Sequence, residues 1–278
     1  VGQLEAGVIT VTDTAADFLD ERSFAALRHH SGLQCGRLLR RWTRDPAAMI
    51  QALVYPAFTL VMLRIVLGDS ITAATGSPSI FGTVPLIVLV GAMFGSVVSA
   101  VGLRAERESG LLGRFHTLPV HRFSGLVGRL TAEIVRVIAT TVVILVAGFA
   151  LGFRFTQGPV AAVLFFAVPV VFTVGFATIV TFLATLSTKL PLVEVVSALC
   201  TLLMFFNSGF VPVAAYPGWL QPFVAGQPMS LAVDAMRGLS YGGPVLVPFL
   251  QTAAWTVGIV AVLMVPVVHG YRRAAETG

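Results

Sequence analysis

Apolar positions along this chain gather into long unbroken runs instead of alternating with polar ones. Six runs reach the length of about 17 to 25 residues that crosses a bilayer as a helix. They fall at 47–67, 82–103, 132–153, 160–186, 192–212 and 248–270. Ahead of them, Ser23 to Asp45 follows another period. Phe24, Leu27, Ser31, Cys35, Leu38 and Trp42 recur every three or four residues, with Arg37, Arg40, Arg41 and Arg44 mostly off that stripe. This pattern predicts a basic amphipathic helix in the interface plane, its arginines toward anionic headgroups, although Gly32 and Gly36 weaken it. Such a helix serves as an anchor or also as a contact for a partner subunit. The chain divides into an acidic tail at 1–22, the amphipathic helix at 23–45, a six-span domain at 46–273 and a short tail at 274–278. No basic stretch followed by an apolar one opens the tail, so no cleavable signal peptide is expected.

Composition sharpens the fold class. Hydrophobic residues make up 56% of the chain and charged ones 11%, against about 25% charged in soluble domains. Mean hydropathy is +0.89. So few charges cannot solvate a globule, which excludes a soluble enzyme, a disordered chain and a disulfide scaffold. The expectation is an all-α integral membrane protein. Cys35 sits in an Arg-rich segment and Cys200 in an apolar run, so no disulfide between them is expected.

The net charge of +5 comes from basic residues beside the spans. With the N-terminus inside, fifteen Arg and Lys fall on the cytoplasmic side and two, Arg154 and Arg237, outside; Arg64 lies within span one. That bias places both termini in the cytoplasm. Arg64 is near the outer end of its span and is expected to snorkel. Glu194 opens span five, where a helix N-terminus favours a carboxylate. Arg129, Glu133 and Arg136 share a helix face and read as a solvated stub at the boundary.

Two linkers stand out. The first, between spans two and three, reads ERESGLLGRF and ends at LPVHR. Its charged ends flank Leu111, Leu112, Phe115 and Leu118 at helical spacing, which fits a short cytoplasmic helix stopped before Pro119 or merely a basic loop. The second is external, from Val213 to Val247. Tyr216, Trp219 and Phe223 suit the headgroup level. Leu231, Ala235, Met236 and Leu239 form one face of a short helix with Ser230 as a candidate N-cap, and Asp234 and Arg237 can pair on it. Pro217, Pro222 and Pro228 predict short helices with a break near Gly226, dipping into the outer leaflet as re-entrant elements.

With the six-span layout, these two stretches resemble the ABC-2 type exporter permeases, in the daunorubicin-resistance branch of drug and lipid exporters. The likeness covers roughly residues 35 to 273. A narrower likeness is to the permeases of mycobacterial phthiocerol dimycocerosate exporters. That branch often has Asn before the proline at 228, whereas this chain has Gln227. The resemblance implies a coupling helix begun by Glu106, Arg107, Glu108, Gly110 and Leu111, with Leu112 and Phe115 filling a socket on an ATPase and Pro119 ending it. It implies two ATPase subunits, a second permease, identical or homologous, and a large apolar substrate. Tyr216, Trp219, Phe223, Pro228, Asp234 and Arg237 are then candidates for an external gate or a static plug. Phe58, Met62, Phe94, Phe205, Phe206 and Asn207 are candidates for a substrate path, since Met and Phe offer deformable apolar surface.

Chemistry is otherwise sparse. No GxxxxGK[ST] is present and Lys189 is the single lysine, so ATP and Mg are expected on a partner chain. His29, His30, His116, His121 and His269 lack metal-ligand spacing, and no base accompanies a buried serine. A non-catalytic permease is the leading expectation, with a stand-alone channel or secondary carrier as the alternative.

Overall fold

Ser23 caps the first helix, accepting the Ala26 amide at 3.1 Å on its hydroxyl, and Asp45 ends it. The computed structural model describes residues 23–110, 124–186 and 192–276, which are helical with no strand among them. In chain order the helices are α1 (Phe24–Arg44), α2 (Pro46–Met49), α3 (Tyr55–Thr75), α4 (Ile80–Glu108), α5 (Ser124–Ala150), α6 (Pro159–Leu186), α7 (Leu192–Phe205), α8 (Gln221–Gly226), α9 (Pro228–Tyr241) and α10 (Leu246–Glu276).

Between α2 and α3 the chain takes a π-helical turn, Ile50–Val54, just ahead of Pro56. A proline ring has no N–H for the carbonyl one turn earlier and crowds it. That carbonyl, on Ala52, lies 3.5 Å from the Thr140 hydroxyl of α5. Prolines inside α4, α6 and α10 raise the same problem.

Among the described residues, five helices are long and apolar enough to cross a membrane: Pro46–Ala73, Ile80–Glu108, Ser124–Ala150, Pro159–Thr185 and Leu246–Gly270. The apolar run at 192–212 behaves differently from the other five. Its helix α7 is 14 residues long, about 21 Å at 1.5 Å per residue, short of the ~30 Å core. Asn207 ends it by donating its amide to the Leu203 carbonyl at 3.2 Å and to that of Met204. Its side-chain oxygen accepts the Gly209 amide at 2.7 Å. A polar side chain thus closes a helix that hydropathy alone carries seven residues further.

Burial is uneven. Helix α4 is the hub, with 67% of its most apolar window buried, against 6% for α10 and 17% for the α2–α3 segment. Leu86, Ile87, Leu89 and Met93 of α4 are fully enclosed. Ile65, Val66, Val257 and Val262, no less apolar, point outward on α3 and α10. At the end of the bundle where α4 begins, Phe81, Phe153, Phe155, Phe165 and Tyr241 interlock, Phe81 stacking on Tyr241 at 4.4 Å.

Candidate functional site

Helix α5 begins at Ser124, well before the apolar run at 132, and its first turns are internal. Arg129, Glu133 and Arg136 are 4%, 3% and 8% exposed, so they are not a solvated stub. The reason is α1, which lies against this end of α5 and shields it. Gly128 sets the approach, since a Cβ there would come within 2.8 Å of the Ser31 carbonyl oxygen. Ala26, Ser31 and Cys35 form the buried face of α1, while Phe24, predicted on that face, is exposed.

The carboxylate of Glu106, 3% exposed, ends α4 inside this wedge. Arg129 Nη2 lies 2.6 Å from its Oε2; Arg37 Nη2 and Arg41 Nη1 lie 3.1 and 3.7 Å from its Oε1. Arg129 also donates to the Ser99 carbonyl of α4 at 3.2 Å. One turn on, Arg136 pairs with Glu133 at 2.5 Å. Burial pushes the Cys35 thiol up, offset in part by the nearby Arg136 guanidinium. Glu106, Glu133, Arg129 and Arg136 are charges taken out of water, so each depends on its partners, while the more exposed Arg37 and Arg41 reach in from α1 to join three helices.

Glu106, Arg107 and Glu108 therefore close the span helix rather than open a separate one. Ser109 caps it and Gly110 leaves in the left-handed region at φ +69°, a conformation glycine adopts without strain. Glu108 is exposed and Arg107 half-buried. Leu111, Leu112, Phe115, Leu118 and Pro119 lie outside the described residues.

The opposite end carries a second polar cluster. Ser208 donates its hydroxyl to Asp234 at 2.8 Å, and Arg237 donates to Asp234 at 3.1 Å and to the Ser208 carbonyl at 2.5 Å. The Ser208 amide donates to the Ser230 hydroxyl at 3.2 Å. Ser230 is no N-cap: α9 starts two residues earlier at Pro228, and Gln227 takes the cap position without a side-chain cap bond. Gln227 instead donates to Ser230 at 3.2 Å. Gly82 of α4 admits the cluster, because a Cβ there would lie 2.3 Å from the Gly209 carbonyl oxygen. Burial raises the Asp234 carboxyl above its usual range, with Arg237 and the Ser208 hydrogen bond opposing. Burial likewise raises the Tyr216 phenol, opposed by its bond to the Asn207 carbonyl. That phenol donates to the Phe205 and Asn207 carbonyls at 3.2 and 3.1 Å.

The six external candidates therefore separate. Tyr216, Asp234 and Arg237 are tied to the turn at 205–209, Pro228 starts α9, and Trp219 and Phe223 project outward at 80% and 50% exposure. Helix α9 is embedded: Met229, Ala232, Val233, Ala235 and Met236 are fully buried. The substrate-path candidates do not converge. Phe58 and Met62 face outward on α3, Phe94 meets the Tyr55 ring at 6.4 Å, and Phe205 is 65% exposed beside the half-buried Phe206. Asn207 is fully buried as a helix cap. A 700 Å³ apolar groove lies elsewhere, along Leu231, Gln251, Trp255, Gly258 and Val262. Sequence reasoning missed Arg37, Arg41, Arg129, Ser208 and Ser230 as partners. The spacing of Arg129, Glu133 and Arg136 was the available signal. Cys35 and Cys200 are free thiols.

The chain is similar to the probable doxorubicin resistance ABC transporter permease protein DrrC of Mycobacterium tuberculosis, at 45% identity over 243 residues, covering 87% of this chain and 88% of that protein. It is similar to the daunorubicin resistance ABC transporter permease protein DrrB1 of Streptomyces coeruleorubidus, at 25% identity over 81% of this chain and 76% of the relative. To the doxorubicin resistance permease protein DrrB of Mycobacterium tuberculosis it is 29% identical, over 64% of each chain. The pattern of ABC-2 type transporters matches residues 34–241, from within α1 through the end of α9 and so across both polar clusters. The chain belongs to the ABC-2 type transporter family.

Proposed function

We propose that this multi-pass membrane permease is the transmembrane subunit of an ATP-driven exporter for an amphiphilic drug or a hydrophobic lipid. ATP and Mg would be bound by two separate ATPase subunits, and a second permease, identical or homologous, would complete the pathway. The relatives named for doxorubicin and daunorubicin resistance favour a drug-like amphiphile. In this reading α7 and the turn after it act as the fifth of six spans. Both termini and the 104–122 linker face the cytoplasm, as the arginine bias favours.

One observation carries the coupling role: the linker leaves α4 at Gly110 and rejoins α5 at Ser124, and both ends are bound to α1 through the Glu106 cluster. A force on residues 111–123 would then move α1, α4 and α5 as one body, which suits transmission from a rotating domain below the membrane. Leu111, Leu112 and Phe115 would supply the apolar contact and Glu108 an exposed charge.

The test replaces Leu111, Leu112 and Phe115 with Asp in a strain carrying the ATPase partner. Loss of doxorubicin export and of copurifying ATPase, with the permease still in the membrane, is expected; normal export would refute the coupling role. Topology has its own check. A cysteine at 219 should react with an impermeant maleimide on intact cells, and one at 110 should not. Labelling at 110 would reverse the orientation.

A further inference from the structure

Two cavities meet on α1. One is a basic groove of 820 Å³ along Gly36, Arg37, Arg40 and Arg44. The other, 190 Å³, opens between α1 and the inner end of α4, walled by Trp42, Val98, Val101 and Ala105. Arg41 and Asp45 line both, so a cationic groove continues into a cleft whose apolar wall stands beside Ser99, Glu106, Arg129 and Arg136.

The charges in this cleft do not cancel. Arg37 and Arg41 share the single Glu106 carboxylate. Asp45 is engaged as the cap of α2, accepting the Ala48 amide at 3.1 Å. Among the described residues, Arg40 and Arg44 are exposed and have no carboxylate within 4.0 Å. Arg129 also lines the cleft, is 4% exposed, and its Nε has no hydrogen-bond partner. Surplus guanidinium groups favour a phosphate, which accepts several of their donors at once. The apolar wall of Trp42, Val98, Val101 and Ala105 beside them favours a hydrocarbon chain. A free phosphate would answer only the first demand, whereas a phospholipid answers both.

We propose that this cleft binds an anionic phospholipid of the leaflet on which α1 lies, its phosphate held by Arg40, Arg41 and Arg44 and one acyl chain against Trp42, Val98 and Val101. Naming that leaflet as cytoplasmic rests on the topology above; the site itself does not. The phosphate competes with Glu106 for Arg41, the longest of the Glu106 contacts, so lipid occupancy loosens the joint between α1 and α4.

Native mass spectrometry tests this on the full chain with whatever subunits copurify, in micelles supplied with dioleoylphosphatidylglycerol or dioleoylphosphatidylcholine. Phosphatidylglycerol is expected to remain bound and phosphatidylcholine to leave. The R40Q/R44Q variant should bind phosphatidylglycerol roughly 30-fold more weakly, the product of two lost arginine contacts near the membrane surface, and R40K/R44K should retain most of the affinity. Gly102 lines the cleft with open space at its Cβ position, so G102F starts from an unobstructed Cβ, narrows the cleft and should weaken binding with every arginine intact. Equal retention of the two lipids would overturn the proposal. So would wild-type binding by R40Q/R44Q or by G102F. Displacement of phosphatidylglycerol by inorganic phosphate, with G102F unchanged, would leave a site for a free anion instead of a lipid.

Discussion

The two polar clusters sit at opposite ends of the bundle and hold it by different means. At the α1 end, Glu106 binds arginines from α1 and α5, and all three helices meet at one carboxylate. At the other end, Asp234 and Arg237 share their bonds with the Ser208 hydroxyl and carbonyl, and Gly82 and Gly209 bring main chain against main chain. The first joint is concentrated in a side chain and the second is spread over backbone. A concentrated joint can switch as a unit when one charge is drawn away. A distributed one resists the loss of any single group but not the intrusion of volume.

The sharpest way to break this contrast is to remove Glu106. E106Q leaves Arg129 buried at 4% exposure without its counter-charge, and stranding one member of a buried pair destabilises by about 3–5 kcal/mol. The thermal midpoint of the purified permease should fall steeply, with α1 becoming open to protease. An unchanged midpoint would mean that Arg129 finds another partner and that the joint is not concentrated.

Volume should act next. Adding one methyl in G82A places a Cβ 2.3 Å from the Gly209 carbonyl oxygen, a main-chain atom that no side-chain rotation can relieve. Overpacking of this kind commonly destabilises by about 1–3 kcal/mol. G128A makes the same intrusion at the other cluster, against the Ser31 carbonyl oxygen at 2.8 Å. A smaller loss in the thermal midpoint is expected there, because the approach is half an ångström looser. Should G128A prove the more harmful of the two, backbone contact would dominate the α1 joint as well.

The contrast also explains what was legible in the sequence. Long apolar runs announced five helices, and the amphipathic stripe placed α1 within a residue of its ends, because local period and length determine both. The i, i+3 spacing of Asp234 and Arg237 announced their ion pair. Burial was not legible. Val88 and Val262 are equally apolar, yet one is enclosed and the other 72% exposed, since in lipid no polar face marks the outside. Glu106 read as a linker charge because its partners lie 23 and 69 positions away in sequence, at Arg129 and Arg37. The solvated reading of Arg129 and Arg136 failed for the same reason: the helix covering them is an earlier, separate element. Asn207 hid inside an apolar run as the residue that ends α7.

The smallest effect expected is a pH dependence at Asp234. Burial holds its carboxyl above the usual range despite Arg237 and Ser208, so the folded protein binds this proton more tightly than the unfolded chain does. An acid raised in this way contributes stability below its unfolded pKa and loses it as pH rises through the higher folded value. At neutral pH the charged form is therefore a burden that D234N removes while keeping an acceptor for the Ser208 hydroxyl and for Arg237. The wild type should gain stability relative to D234N as pH falls from neutral through the mildly acidic region above the ordinary carboxylate range. Thermal midpoints of the two proteins across that range, subtracted at each pH, isolate Asp234 from every other carboxyl. A difference between wild type and D234N that stays flat, or that turns against the wild type on acidification, would mean that the pair with Arg237 outweighs burial. The Asp234 cluster would then be held by charge, like its counterpart at the other end of the bundle, and the contrast between them would fail.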